Sequence, residues 1–433
     1  MAQRYESYKD SGVQWLGEIP SHWECVRLKN LGTCQNGVSK GGDYFGEGFP
    51  FVSYSDAYKN IILPTTVQGL ARSSEDDRVA YSVEKGDVLF TRTSETIDEI
   101  GFASTCLETI KDSVFAGFLI RFRPNTCSII PEYYKYYFRS MHLRKFFTKE
   151  MNIVTRASLS QQLLGQLKVL IPSINEQKSI SLYLDRKCNK LDEWLSKKQK
   201  EVEHLLELKQ RIIADAVTRG LNPNITMKQT NIPWLSEVPE HWEEKRLAAM
   251  FTGDVDTNKD FQYKHAFKFN YGSLVPKNEI GDPEEYRDVY VKYSIVNTGD
   301  ILINGLNLNY DFISQRVACA PFDGIITSAY VVCRPRPNVN YDYYTYLFKA
   351  MDSMKLFHGM GTGIRLTLSF KELKKQILPV PPVEEQKQIV THINDKISKI
   401  DKLIANINKE IEGIKEYKQR LISDVVTGQI KVC

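Results

Sequence analysis

The chain has 433 residues, of which 42% are hydrophobic and 25% charged, and its formal net charge is +4. This length suits two or three domains with their own cores, and the small positive charge permits a nucleic-acid partner without arguing for one. No apolar run approaches the length of a membrane span and the chain starts without an apolar signal segment, so we expect a cytoplasmic protein with no membrane partner. The eight cysteines are scattered without any C-x-x-C pair, which excludes a disulfide framework and a paired zinc site.

The first predicted elements form a mixed α/β domain over residues 1–173. Runs rich in Val, Ile, Phe and Leu predict strands at Asp87–Phe90 and Val114–Phe122. Aromatic residues at helical spacing over Tyr133–Phe147 predict a helix. Core packing is favoured over base stacking for its tyrosines.

A long helix is predicted next, over residues 174–220. One side chain in every three or four falls on a single seam, the 3.5-residue repeat of a coiled coil. The seam positions are Leu184, Cys188, Leu191, Leu195, Lys198, Val202, Leu205, Lys209, Ile212 and Ala216. Its lysines either fix the register of a partner helix or extend their charged ends to solvent, and both alternatives stay open.

The second half of the chain repeats the first. VQWLGEIPSHWECVRL at Val13–Leu28 returns as IPWLSEVPEHWEEKRL at Ile232–Leu247, and KGDVLF returns as TGDILI. A second α/β domain is therefore predicted over 221–382, with strands at Asp300–Ile303 and Ile325–Cys333 and a helix at Tyr343–Phe357. A second long helix follows at 383–433, with seam positions Ile393, Ile397, Ile400, Ile404, Ile407, Ile411, Ile414, Lys418, Leu421 and Val425.

The separation between equivalent residues shrinks from 219 at Trp23 and Trp242 to 209 along the helices. All length changes therefore fall inside the two globular domains, where the sequences also diverge most. A shared scaffold with different surfaces predicts two different ligands of the same kind. Neutral drift of surface loops after an old duplication is the alternative.

Neither helical seam could stay exposed to water, and the simplest partner for each is the other. Only the short segment Gly220–Thr230 joins the first helix to the second domain. We therefore expect an antiparallel helix pair separating two globular domains, related by an internal pseudo-two-fold axis.

Motifs of catalysis are absent from the sequence: it has no nucleophile–base pattern, H-E-x-x-H or Walker motif. The glycine run at Gly359–Gly363 has no counterpart in the first copy, where Glu150, Asn152 and Val154 stand. A phosphate-binding loop needed for function would be expected in both copies. We therefore predict no catalytic residue and no metal site in this chain.

The ordered set of motifs resembles one family, the specificity subunits of type I restriction–modification systems. The resemblance rests on YKDSGVQWLGEIPSHWE and its copy WLSEVPEHWE, on KGDVLF and TGDILI, and on RASLS and RLTLS before the helices. It rests also on the helix starts INEQKSI and VEEQKQI and the helix ends AVTRGLNPN and VVTGQI. It covers essentially the whole chain.

The resemblance implies that each globular domain is a target recognition domain for one half of a split site in double-stranded DNA. It implies that the helices set the gap between half-sites and help to recruit two methyltransferase subunits and then restriction subunits. S-adenosylmethionine, ATP and Mg would then be bound by those partners, with no cofactor in this chain and no catalytic activity of its own. The alternative is a coiled-coil scaffold whose domains bind proteins and have no DNA specificity.

Candidate DNA contacts are polar or basic side chains on loops that can reach base edges or phosphates. The loops that follow the strands of KGDVLF and TGDILI supply such groups, and so do two further loops. The candidates are Ser39, Lys40, Arg92, Thr93 and Ser94 in the first copy and Lys277, Asn304, Asn307, Asn309 and Arg316 in the second. Arg156 and Arg365 recur at equivalent positions, which suits phosphate contact or, equally, an ion pair inside each domain.

Overall fold

The computed structural model describes residues 3–94, 99–150, 157–277, 282–364 and 366–432. The chain divides into two compact units, and each is described by itself. The first unit comprises residues 1–198 and 409–433, and the second comprises residues 199–408. Each unit therefore contains a globular domain together with part of each long helix.

The first unit contains a four-stranded antiparallel sheet in the order β4-β11-β7-β9 and several two- or three-stranded pairings. Its strands are β1 (Tyr8–Asp10), β2 (Glu18–Pro20), β3 (Glu24–Arg27), β4 (Gly32–Asn36), β5 (Phe45–Val52), β6 (Gly69–Ala71), β7 (Val88–Thr91), β8 (Thr93–Ser94), β9 (Ala103–Thr105), β10 (Val114–Phe115), β11 (Leu119–Pro124), β12 (Ala157–Ser158) and β13 (Lys168–Ile171). Its helices are α1 (Tyr54–Lys59), α2 (Glu75–Ala80), α3 (Pro131–Tyr137), α4 (Met141–Glu150), α5 (Gln161–Gln166) and the beginning of α6 (Ile174–Arg219).

The second unit contains an equivalent sheet in the order β17-β24-β21-β22. Its strands are β14 (Met227–Gln229), β15 (Glu237–Pro239), β16 (Glu243–Arg246), β17 (Phe251–Thr252), β18 (Phe267–Asn270), β19 (Ser273–Pro276), β20 (Ser294–Val296), β21 (Ile301–Ile303), β22 (Val317–Cys319), β23 (Gly324–Ile326), β24 (Val331–Pro335) and β25 (Ile377–Val380). Its helices are α7 (Leu247–Met250), α8 (Arg287–Tyr290), α9 (Tyr341–Ser353), α10 (Phe370–Leu373) and the beginning of α11 (Val383–Val426).

Both long helices begin where the sequence predicts. Ser173 and Glu176 form a capping box that satisfies free N–H groups in the first turn of α6. Gly220 and Gly428 follow the two helix ends with φ of +71° and +75°, the left-handed conformation that glycine adopts without strain. The second helix is thus shorter than the predicted 383–433, because the chain turns at Gly428 and Lys431 then pairs with Gln3.

The buried core of each unit joins its sheet to both long helices. In the first unit, Trp23 and Tyr133 pack in one apolar cluster with Leu421 and Val425 from the end of α11. In the second unit, the end of α6 and the start of α11 pack around Trp242 in the same way. The indole N–H groups of Trp23 and Trp242 donate to Glu176 and Glu385, each in the first turn of a long helix. The repeated His-Trp motif therefore fixes each long helix to its domain.

The two helices run antiparallel within each unit. In the first, Lys418 binds Asp192 at 2.5 Å, and Lys198 binds Glu410 at 3.0 Å. In the second, Lys209 binds Asp401 at 2.7 Å. The lysine stems lie at the predicted seam, while their charged ends reach carboxylates that are about half exposed. Exposed pairs of this kind contribute at most about 1 kcal/mol each to stability.

A buried aspartate paired with an arginine explains the repeated Gly-Asp of KGDVLF and TGDILI. Asp87 accepts two hydrogen bonds from Arg123 at 2.6 and 2.7 Å. Asp300 accepts from Arg334 at 2.9 and 3.2 Å in the second unit. Both carboxylates are 1% exposed. Each also accepts a backbone N–H that closes the turn before its strand.

Four predicted elements are interrupted. Val114–Phe122 is two strands, because the chain turns at Ala116 with a hydrogen bond from the N–H of Leu119 to its carbonyl. Ile325–Cys333 is likewise divided between β23 and β24. The predicted helices Tyr133–Phe147 and Tyr343–Phe357 each end early and resume as a second helix. Tyr133, Tyr134, Tyr343 and Tyr344 are buried, as the core-packing prediction requires.

Within the described ranges, no group of three or more His, Cys, Asp or Glu side chains is placed to hold a metal ion. The seven cysteines found there are free thiols. None of the helices in those ranges combines the length and apolarity needed to cross a bilayer.

Candidate nucleic-acid interface

One edge of the first unit's sheet collects three of its loops. Neighbouring strands are antiparallel, so β4 and β7 end at the edge where β11 begins. The loops at Val38–Lys40, Arg92 and Ala116–Phe118 therefore meet there. The N–H of Gly117 donates to the carbonyl of Val38 at 2.8 Å, and the N–H of Arg92 donates to the carbonyl of Phe118 at 2.9 Å. The structure thus brings the loops of Ser39, Lys40 and Arg92 together at one edge of the sheet, and their contacts with DNA stay predictions.

Arg92 is half-buried at this edge. One Nη donates to the carbonyl of Gly117 over a long 3.4 Å. Its Nε is buried and has no partner among the residues that the structure describes, so a ligand would meet the Nη groups and not Nε. Carboxylates, phosphates and base edges are acceptors that suit such groups.

Thr93 and Ser94 continue from Arg92 as strand β8, which pairs with β12. The Ser94 hydroxyl donates to Glu99 at 2.7 Å. Both residues are half-buried, so they are less accessible than Ser39 and Lys40, which are exposed. Lys40 lies over the ring of Tyr44 at 5.9 Å, a weak cation–π contact that leaves its charge in solvent.

Phe118 also lies at this edge, and the sequence analysis did not select it. Its side chain is 63% exposed although it lies within a predicted strand. Gly117 marks the tight turn, because a side chain there would lie 2.8 Å from the carbonyl oxygen of Val38. A glycine inside an apolar run is the sequence signal that predicts such a turn.

The corresponding loop of the second unit joins β21 to β22 over residues 304–316. Asn307 is exposed and adopts a left-handed φ of +52°. Asn304 accepts the N–H of Leu306 at 3.2 Å with its own side chain, and Asn309 donates to the carbonyl of Ile364 at 3.3 Å. The three asparagines therefore belong to one loop, and Asn307 is the most accessible of the three.

The structure contradicts the predicted DNA contact of Arg316. Its side chain is 0% exposed. The guanidinium donates to the carbonyls of Asn304, Leu306 and Asp311 at 2.9, 2.8 and 2.6 Å. It is wrong as a base contact, because a wholly buried guanidinium committed to three carbonyls cannot reach DNA. Arg316 is instead the internal support of the loop.

Lys277 lies at the opposite end of its hairpin from this loop. The hairpin tip at Gly272 packs against Gln315, whereas Lys277 follows the last residue of β19 and lies over the rings of Tyr286 and Tyr290. At about 3.3 Å per residue, roughly 15 Å separates the tip from Lys277. Arg156 and Arg365 lie outside the described residues, and their predicted phosphate contacts stay predictions.

The two loops make the same backbone hydrogen bond after their strands but present different side chains. The N–H of Leu159 donates to the carbonyl of Arg92 at 2.8 Å, and the N–H of Leu368 donates to that of Gly305 at 2.9 Å. Gly305 thus stands where the first unit has Arg92. A side chain at Gly305 would lie 2.5 Å from the carbonyl oxygen of Leu368. The second unit therefore presents no side chain from this position, and its loop extends further instead.

Comparisons with known proteins agree with this architecture. The family described as type I restriction modification DNA specificity domain matches residues 20–204 and 239–413. The type I restriction enzyme MjaX specificity subunit of Methanocaldococcus jannaschii is 25% identical over 96% of both chains. The EcoBI specificity subunit of Escherichia coli is 22% identical over 64% of this chain and 61% of its own. A chain solved for complex assembly and conformational transition of the type I R-M system shares the fold, with a TM-score of 0.66, 14% identity and coverage of 95% and 99%.

Proposed function

Since the chain belongs to the type I restriction–modification DNA specificity family, we propose that each of its two globular domains reads one half of a bipartite site in double-stranded DNA. Members of this family recognise DNA and are not themselves catalytic. The observation that carries the proposal is that each unit has an equivalent sheet edge with the same backbone hydrogen bond. This edge presents Arg92 in the first unit and the asparagine-rich loop in the second. Different side chains on one frame suit the reading of two different base sequences.

We propose further that two methyltransferase subunits bind this chain and that restriction subunits join them. S-adenosylmethionine, ATP and Mg would be held by those subunits, and the complex would act in the cytoplasm. The methyltransferase would transfer the methyl group, and this chain would choose the site. The rival function is a protein-binding scaffold without DNA specificity. Affinity that falls with salt concentration for the assembled complex on DNA separates the two, because phosphate contacts release bound cations.

A domain exchange tests the division of labour. Residues 1–173 are replaced by those of a relative, residues 231–382 are replaced in a matched variant, and the methylated motif is sequenced in cells. Each exchange should change one half-site and leave the other unchanged. If either exchange altered both halves, the assignment of one half-site to each domain would be wrong.

A helix insertion tests whether the helices set the spacing between half-sites. We expect half-sites centred about one helical turn apart, roughly 10 base pairs. One heptad added near Lys198 and another near Ile407 lengthen the helices by about 10 Å, at 1.5 Å per residue. That length equals about three base pairs. The motif should keep both half-sites and gain spacer. An unchanged spacer in an active variant would show that the helices do not set the spacing.

A further inference from the structure

Two equivalent glutamines in the first turns of the long helices differ in their hydrogen bonds. Gln177 donates to the carbonyls of Ser128 and Pro172 at 2.7 and 2.9 Å and accepts the N–H of Ile130 at 3.0 Å. Gln386 donates to the carbonyl of Pro381 at 2.8 Å. Its Oε1 is buried and has no partner in the part of the chain that the structure describes. The second unit has therefore kept the glutamine and lost the segment that binds it in the first.

The loss follows from a shorter connection before the helix. Residues 125–130 join β11 to α3 in the first unit, whereas 336–340 join β24 to α9 in the second, which is one residue fewer. The shorter segment turns sharply, with the N–H of Val339 bonded to the carbonyl of Arg336 and a left-handed φ of +67° at Asn338. No N–H from this turn bonds to Gln386 as Ile130 bonds to Gln177.

A cavity of about 440 Å³ lies beside the shortened turn, within the second unit. Asn338, Val339, Tyr344, Pro382 and Gln386 are among its lining residues. Tyr344 is 1% exposed, and its hydroxyl also has no partner within the described ranges. The equivalent Tyr134 donates to the carbonyl of Gly86. Two buried polar groups that are paired in the first unit are thus unpaired at one cavity of the second, an arrangement that costs free energy until a ligand supplies partners.

The charges at the cavity favour a neutral ligand. Lys245 pairs with Glu243 at 2.7 Å, and His241 contacts Glu385 at 2.6 Å. Two carboxylates, those of Glu384 and Glu385, already occupy the first turn of α11. An anion would have to compete with them for the positive end of the helix dipole. A phosphate group is therefore disfavoured, whereas a peptide backbone supplies a neutral N–H donor and a carbonyl acceptor.

We propose that this cavity receives an extended peptide segment of a methyltransferase subunit. The segment would place a backbone N–H at Gln386, as Ile130 does for Gln177 in the first unit, and an aliphatic side chain beside Tyr344. The proposal rests on the proposed function, because it takes the methyltransferase as the partner. It also predicts that the two units hold their partner subunits differently.

Binding of the purified methyltransferase subunit to the full chain tests the proposal, measured by titration calorimetry at one salt concentration. Gln386→Ala should weaken binding about 2- to 10-fold, the worth of one hydrogen bond. The matched control Gln177→Ala should leave the affinity of the folded chain unchanged. Replacing residues 336–340 by the six residues NTCSII of the first unit fills the cavity and should weaken binding at least tenfold.

A cross-linking experiment keeps the proposal testable where the replacement prevents folding. A benzophenone residue at Val339 should form adducts that map to one segment of the methyltransferase, whereas the same residue at the exposed Cys127 should form none. Equal affinity of the folded graft and wild type, or equal adducts at both positions, would overturn the inference alone. If the wild-type chain bound no methyltransferase at all, the proposed function would fail with it.

Discussion

The two units share the contacts that join each four-stranded sheet to the long helices and differ at the surfaces where a ligand would be bound. Both have the buried tryptophan bonded to a helix glutamate, the Asp–Arg pair at the start of the strand after the Gly-Asp motif and the antiparallel helix contacts. They differ in the loop at the sheet edge and in the connection before the aromatic helix. These shared contacts support the scaffold of both units, whereas positions that differ are free to specify a partner.

The largest expected loss of stability comes from removing the buried aspartate that both units have. Asp87→Ala removes two hydrogen bonds from the Arg123 guanidinium and leaves a backbone N–H unpaired. Hydrogen bonds to a charged group contribute about 1.5–3 kcal/mol each, so their loss should lower the free energy of unfolding by about 3–5 kcal/mol. Asp300→Ala should cost a similar amount in the second unit, because Asp300 accepts the equivalent hydrogen bonds from Arg334. Chemical denaturation of both variants measures this. A large loss in one variant and none in the other would break the equivalence of the two frames.

A smaller effect sharpens the contrast at the sheet edge. Gly305→Ala should lower the free energy of unfolding by about 1–3 kcal/mol, because the new Cβ would press on the carbonyl of Leu368 at 2.5 Å and force the backbone to shift. The reciprocal change Arg92→Gly creates no overlap and should cost less than about 1 kcal/mol through chain entropy. Thermal melts of both variants are the measurement. Equal losses would show that the two positions are under the same steric constraint.

The DNA contacts give effects of similar size that differ in kind. Arg92→Ala should weaken the free energy of binding to the cognate DNA by about 1–3 kcal/mol and relax base preference at one position of the first half-site. Arg156→Ala should weaken binding to all sequences alike and reduce the salt slope by about one ion. Affinities of the assembled methyltransferase complex for cognate and single-mismatch duplexes, over a salt series, distinguish the two results. The assignment fails if Arg92→Ala weakens all duplexes equally. Unfolding of the Arg156 variant would instead favour an internal ion pair.

The smallest effect is a pH dependence at the helix start. Burial opposes ionisation of Glu176, but hydrogen bonds from His22, Ser173 and Trp23 outweigh it and lower the pKa of this carboxyl below its ordinary value of 4.5. A depressed folded-state pKa adds stability above pH 4.5 that is lost as the pH falls below it. Glu176→Gln should therefore flatten the acid side of the stability curve. A curve as steep as that of wild type would remove Glu176 as a source of the dependence.

The scaffold was predictable from sequence because its signals are periodic or repeated. The helix starts, the strands after the Gly-Asp motifs and the burial of Tyr133 and Tyr343 all follow from local pattern. The loops were not, because residue type does not reveal where a side chain points. Arg316 is suited to DNA by chemistry alone, yet the long loop needs a buried donor for three of its carbonyls. Phe118 looked like a core residue until the turn beside it was known.

The division of the chain has a consequence for how the protein is made. Residues 199–408 of the second unit are contiguous, so the whole unit is synthesised before residues 409–433. The first unit needs residues 409–433 to cover the apolar faces around Trp23. We therefore expect the second unit to complete its fold before the first, the reverse of the usual order in which an N-terminal domain folds first. Until residues 409–433 are made, the first unit should expose apolar surface and be the more prone to aggregate.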